Sequence, residues 1–216
     1  MKPEAHDAQK PRRILRRAWQ RLFAEEHASQ MVEFAVSLPL LVVFIVGIFD
    51  FSGAFTLKQK LANAAREGAR AAAAGPANDL GGPSAPALVP VSVGDAIQVV
   101  DGYLTNAKVD DCGLSGASGA PDGALTWKYT ATGGTCGASG ITVIINRGFY
   151  FSQTASTPAT SCVLAPGGGP LSAVIATCVS IQYAYSWRFN RVVGLLGSTS
   201  SVPSSMTTMA IAMNEN

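Results

Sequence analysis

Four cysteines, Cys112, Cys136, Cys162 and Cys178, are the side chains with the most evident chemistry, and all lie in the C-terminal half. None forms a C-x-x-C pair, and the two histidines, His6 and His27, sit far away in a basic N-terminal arm. Zinc needs four converging ligands, usually supplied as closely spaced pairs, so the pattern predicts no metal site. An even number of cysteines in a Gly- and Ser-rich region fits disulfides and an oxidising compartment. Four cysteines allow three connectivities. The pairing of sequence neighbours, Cys112–Cys136 and Cys162–Cys178, is the expected one, since each closes a loop of moderate length.

Other reactive constellations are missing from the sequence. A hydrolase needs a nucleophile and a base within reach of each other, yet no serine sits in a G-x-S-x-G frame and neither histidine lies near the cysteines. There is no G-x-x-x-x-G-K-[ST] phosphate loop and no H-E-x-x-H. Gly167-Gly168-Gly169 runs into Pro170 and reads as a loop, and the adjacent acids Asp110-Asp111 read as a solvated pair rather than a metal site. The expectation is a structural or binding protein with no cofactor, not an enzyme.

Composition says where such a protein works. Of 216 residues 48% are hydrophobic and 14% charged, and mean hydropathy is +0.23; average soluble domains are roughly 25% charged. A disordered chain is excluded, and a fully soluble cytosolic protein is disfavoured. The net charge of +2 hides an asymmetry: residues 1–70 hold eleven Lys/Arg and seven Asp/Glu, and the remainder five and seven. The basic part is a short arm at a chain end, which points to a membrane and not to nucleic acid.

That arm, residues 1–28, carries Lys2, Lys10, Arg12, Arg13, Arg16, Arg17 and Arg21. From Phe34 to Leu57 the only ionisable residue is Asp50. Residues 34–49 supply sixteen uncharged residues, while a bilayer crossing needs about 20, so the span must extend past Asp50 or past Glu33. Asp50 then either snorkels at the outer interface or pairs with a Lys or Arg of a packed partner. The positive-inside rule puts the arm in the cytoplasm. With a long basic region and no A-x-A site, the segment reads as a signal anchor and not as a cleaved secretory signal.

Helical periodicity continues beyond the apolar run. Leu57, Leu61, Ala64, Ala65, Gly68 and Ala72 form one stripe, and Lys58, Lys60, Asn63, Arg66, Glu67 and Arg70 occupy the remainder. Arg66, Glu67 and Arg70 suit local i,i+3 and i,i+4 pairs, with docking as a second possible role. Gly75-Pro76 is a stop signal, and Pro39 is expected to kink the helix near its start. The predicted organisation is a basic leader over 1–28, a membrane-spanning and then amphipathic helix over 29–74, a linker over 75–90 and a head over 91–216.

In the head, Ser92 and Asp95 suggest a capping box, followed by an apolar stripe of Val93, Ala96, Ile97, Val100 and Leu104. Strands are expected at Thr126–Thr132, Ile141–Arg147 and Val179–Asn190, where Val179, Ile181, Tyr183, Tyr185, Trp187 and Phe189 alternate with more polar residues. Met209, Ile211 and Met213 repeat that pattern. The fold class is α+β: a long N-terminal transmembrane helix continuing into a head with a short helix and a small antiparallel sheet.

Residues 28–70 also carry a resemblance, in Val32-Glu33-Phe34-Ala35, Leu38-Pro39, Gly47-Ile48 with Asp50, and Asn63-Ala64-Ala65-Arg66-Glu67-Gly68-Ala69-Arg70. The segment resembles the N-terminus of TadE-like proteins, minor pilins or pseudopilins of tight-adherence pili within the type IV pilus superfamily. Met213-Asn214-Glu215 resembles the family's usual ending.

The resemblance implies a precursor trimmed by a membrane prepilin peptidase on the cytoplasmic side. Carried onto this chain, the cut falls between Ala28 and Ser29, with Ala28 where the family usually has Gly. Glu33 becomes the fifth mature residue. A carboxylate near hydrocarbon costs ~2.5–3.5 kcal/mol on insertion scales unless paired. The resemblance offers the new α-amino group at Ser29 of a neighbouring subunit as the partner; read without it, Glu33 sits in the headgroup zone beside a helix N-terminus. The implied place is the bacterial inner membrane, N-terminus cytoplasmic and head periplasmic. The implied partners are the membrane, the peptidase, other pilin subunits and the assembly platform. The competing reading is an untrimmed single-pass envelope protein with a partner-binding head.

Overall fold

A computed structural model describes residues 26–80, 89–136, 140–151, 161–162, 174–187 and 204–215. Residues 1–25 of the expected basic leader, 81–88 of the expected linker, the Gly167–Pro170 loop and Arg188–Asn190 lie outside these residues. The chain divides into two compact units, Met1–Phe49 and Asp50–Asn216.

One helix, α1, runs over Glu26–Ala74 with Pro39 inside it. Pro39 has no N–H to donate and frees the Ala35 carbonyl; nearby, the Ser37 hydroxyl donates to the Phe34 carbonyl at 3.3 Å. The alanine-rich second half has high intrinsic helix propensity, and the helix stops before Gly75-Pro76 as expected. A 3-10 turn, Ala77–Leu80, lies within the expected linker.

The second helix, α2 (Val91–Asn106), buries Val93, Ala96, Ile97, Val100 and Leu104, the expected stripe. The expected capping box is not formed. The N-cap is Pro90, which makes no side-chain bond, and Ser92 is already inside the helix. The Ser92 N–H donates instead to Asp79 Oδ2 at 2.8 Å. A carboxylate from the preceding 3-10 turn thus does the work of an N-cap, satisfying one early donor.

The sheet is antiparallel, in the order β1 (Ala120–Pro121), β2 (Thr126–Ala131), β3 (Ile141–Phe151), β4 (Val174–Ala184) and β5 (Ser205–Met213). The β2 strand and the start of β3 agree with expectation. The strand expected at Val179–Asn190 is corrected: it begins at Val174 and ends at Ala184. Its early part pairs with Phe149–Phe151, beyond an irregularity between Asn146 and Phe149 that carries β3 past Arg147. Burial does not alternate over Ala176–Ile181 because both faces of this strand are covered.

On one face, Ile141, Val143, Ile145, Val179 and Ile181 pack with Leu61, Ala64, Ala65, Ala69 and Ala72 of α1 and the stripe of α2. On the other, Cys162 and Cys178 join Phe149, with Ile144, Met209 and Ile211 against them. Small residues let the helices approach closely: a Cβ on Gly68 would lie 2.5 Å from Val100 Cγ2.

Candidate functional site

In the first unit the helix presents apolar side chains outward. Met31, Phe34, Val36, Phe44, Ile48 and Phe49 are 64% to 75% exposed. Glu33 is exposed among them, in the third turn of α1. Such a surface is out of place in water and suits hydrocarbon or other apolar helices. Over Gln30–Ala74 the helix is long and apolar enough to cross a membrane. Ala28 and Ser29 lie in its first turn, with side chains outside the described residues.

The second unit opens on Asp50, which is only 6% exposed. The Tyr185 hydroxyl donates to Asp50 Oδ1 at 3.1 Å and lies 3.3 Å from its backbone carbonyl. Beside them the rings of Phe51 and Trp187 lie 5.4 Å apart, and Trp187 meets Tyr185 edge-on at 5.0 Å. Tyr185 and Trp187 are therefore not members of a continuing strand. They follow β4 and meet the first turns of the second unit's helix. A polar tip on an aromatic body suits that task, since the ring packs while the hydroxyl finds an acceptor.

At the other end of α1, Arg147 is 1% exposed. Its guanidinium donates to the Ala72 carbonyl and, at 3.1 Å, to the Gly75 carbonyl. These are terminal carbonyls of a helix, which carry negative partial charge and lack intrahelical partners. The β3 irregularity aims the residue there: the Arg147 N–H donates to Leu125 O and the Gly148 N–H to Asn146 Oδ1. Burial lowers the guanidinium pKa, and the Asp79 carboxylate opposes that shift. Asp79 thus favours the Arg147 cation while it accepts from Ser92 at the start of α2. A third cap comes from Lys60, whose ammonium donates to Ala107 O at 2.7 Å, just past α2.

Arg66, Glu67 and Arg70 remain on the exposed side of α1, as the periodicity predicts. Arg66 donates to Asn63 Oδ1 at 3.2 Å and Arg70 pairs with Glu67 at 3.4 Å. The disulfides are Cys112–Cys136 and Cys162–Cys178, the expected pairs. Beside the first, Asp110 accepts from the Cys112 and Thr135 N–H groups, at 2.9 and 2.7 Å, and from the Thr135 hydroxyl. The hydroxyl bond, then the two backbone bonds, lower the Asp110 pKa. Asp110 is therefore a loop clamp, and the sulfurs near it are committed to each other. Asp101 is raised, first by burial and then by Asp111, whose carboxylate accepts a hydrogen bond from the protonated Asp101 carboxyl and adds like charge.

Sequence reading missed Tyr185, Arg147, Asp79 and Lys60 in these roles. Only Arg147 left a trace, as the one cation among the apolar residues of its strand.

No curated protein and no solved structure matches the chain. A family model described as TadE-like protein matches residues 28–70, a stretch contained within α1. Over that stretch, from the first turn of α1 to Arg70, the chain is similar to TadE-like proteins.

Proposed function

We propose that the chain is a TadE-like minor pilin or pseudopilin of a tight-adherence pilus. The observation that carries the reading is the family match over 28–70 falling on a helix whose first part exposes apolar side chains, with Glu33 as the only charged residue between Gln30 and Phe49. In this reading the apolar part of α1 inserts in the bacterial inner membrane, with the basic arm held in the cytoplasm. Two disulfides support a periplasmic head, since that compartment is oxidising. The work is mechanical rather than enzymatic. A prepilin peptidase trims the leader between Ala28 and Ser29, in a helical first turn that frays at low cost. Glu33 then pairs with the freed α-amino group of a neighbouring subunit, and the apolar helices pack to start, cap or anchor a filament on its assembly platform. Arg66, Glu67 and Arg70 are available for docking.

Intact-mass measurement and N-terminal sequencing of the protein from cells that express the peptidase test the reading. A chain starting at Ser29 is expected; one starting at Met1 favours the untrimmed envelope protein. Glu33→Ala is expected to insert normally yet fail to enter a piliation complex.

A further inference from the structure

The two edges of the sheet are built differently. The β1 edge is two residues long and ends in Pro121, a blunted edge of the kind that discourages strand addition. The β5 edge is nine residues long, SMTTMAIAM, with no charge and no proline. Its register with β4 is unbroken from Ala176–Met213 to Ala184–Ser205. Within β5 itself there is no charge, proline or bulge to blunt the edge.

The direction of its backbone groups follows from its two ends. The Tyr185 N–H donates to Ser204 O, and the Asn214 N–H donates to Ile175 O. Backbone direction alternates along an antiparallel strand, so the even-numbered residues between 204 and 214 face β4. Ser205, Thr207, Met209, Ile211 and Met213 therefore turn their N–H and C=O outward. Among the described residues no strand pairs with them. A cleft of about 510 Å³ runs there, bordered by all five consecutive residues Met209 to Met213. A cleft over one sheet face would touch alternate residues; contact with every one marks the strand's edge.

Arg66 and Arg70 of α1 border the same cleft together with Glu215, so that two cations and one acid line it and its net charge is positive. The two arginines lie on the helix-packed side of the sheet, where Ala210 and Ala212 pack; Met209 and Ile211 lie on the opposite side. We propose that β5 is a strand-addition site for an extended segment of another protein, with acidic side chains on the face toward Arg66 and Arg70 and apolar ones on the face continuing Met209 and Ile211. Backbone pairing supplies affinity and the alternate side chains supply selectivity. The inference rests on the second unit alone and stands whether or not the leader is trimmed.

Hydrogen exchange of the full chain in detergent micelles, read residue by residue by NMR, tests it. The probe is an end-blocked nonapeptide alternating Val and Glu. Without it, the Thr207, Met209 and Ile211 amides are expected to exchange freely while Thr208 and Ala210 are protected. With it, the three outward amides should slow about tenfold or more. A Val/Lys peptide should not slow them, nor should the acidic peptide act on an Arg66→Gln, Arg70→Gln chain. Thr207→Pro removes an outward donor without touching the β4 ladder; it should block the peptide and leave the inward amides protected. Four outcomes overturn the proposal: outward amides already protected in dilute protein, protection that grows with protein concentration alone, equal action of the Lys peptide, or no protection at millimolar acidic peptide. The second would assign the edge to another copy of this chain.

Discussion

The Tyr185 phenol donates to the Asp50 carboxylate at 3.1 Å across a separation of 135 residues. An acid at the end of an apolar helical run is thus held by the sheet-bearing part of its own unit. A hydrogen bond of this kind contributes about 0.5–1.5 kcal/mol net to stability. Tyr185→Phe keeps the ring and should cost an amount in that range by thermal or denaturant unfolding. Asp50→Asn keeps an acceptor and should cost less than Asp50→Leu.

Arg147 caps the end of α1 from β3, with Ala72 and Gly75 as its acceptors. Arg147→Met should destabilise the second unit by about 1–3 kcal/mol, since it removes the donor to the Gly75 carbonyl and the second donor to Ala72 O. Arg147→Lys should recover only part of the loss, because an ammonium cannot reproduce the planar fork. Faster amide exchange at Gly75, whose N–H donates to Ala72 O, would report local fraying.

Gly68 meets Val100 where α1 and α2 pack. Gly68→Val inserts volume at a closed contact, and overpacking of this kind costs about 1–3 kcal/mol. An unchanged denaturation midpoint would show that the helices separate freely here.

Asp110 has a pKa below its ordinary 3.8. The folded form gains stability from that group above the ordinary value and loses it as pH falls toward the lowered one. The Cys112 and Thr135 amides should therefore lose exchange protection on acidification below pH 3.8. In Asp110→Asn that acid step should vanish. Asp101, raised from 3.8, works in the opposite sense: its contribution is present at low pH and disappears as pH rises through its folded value.

Each disulfide closes a loop, of 24 and 16 residues' separation, and the chain-entropy model assigns each about 3 kcal/mol. Paired Cys→Ser replacement of either should lower the denaturation midpoint, and non-reducing peptide maps should show these two links alone.

The sequence by itself determined the local choices. Period and propensity placed the α1 stripe of Leu61, Ala64, Ala65, Gly68 and Ala72, the α2 stripe and the Gly75 stop, because each depends on which face a residue takes within a few turns. The tertiary structure alone decided who satisfies the helix ends and buried polar groups. Ser92 looked like a cap from its neighbours, yet its helix is capped by Asp79. Nothing near Arg147 in sequence announces the carbonyls of Ala72 and Gly75; they meet only when β3 lies against α1. The strand after Val179 ended early for the same reason. Tyr185 and Trp187 alternate like strand residues, but Asp50 and Phe51 are their partners. A hydrogen bond across more than a hundred residues has no local period to betray it.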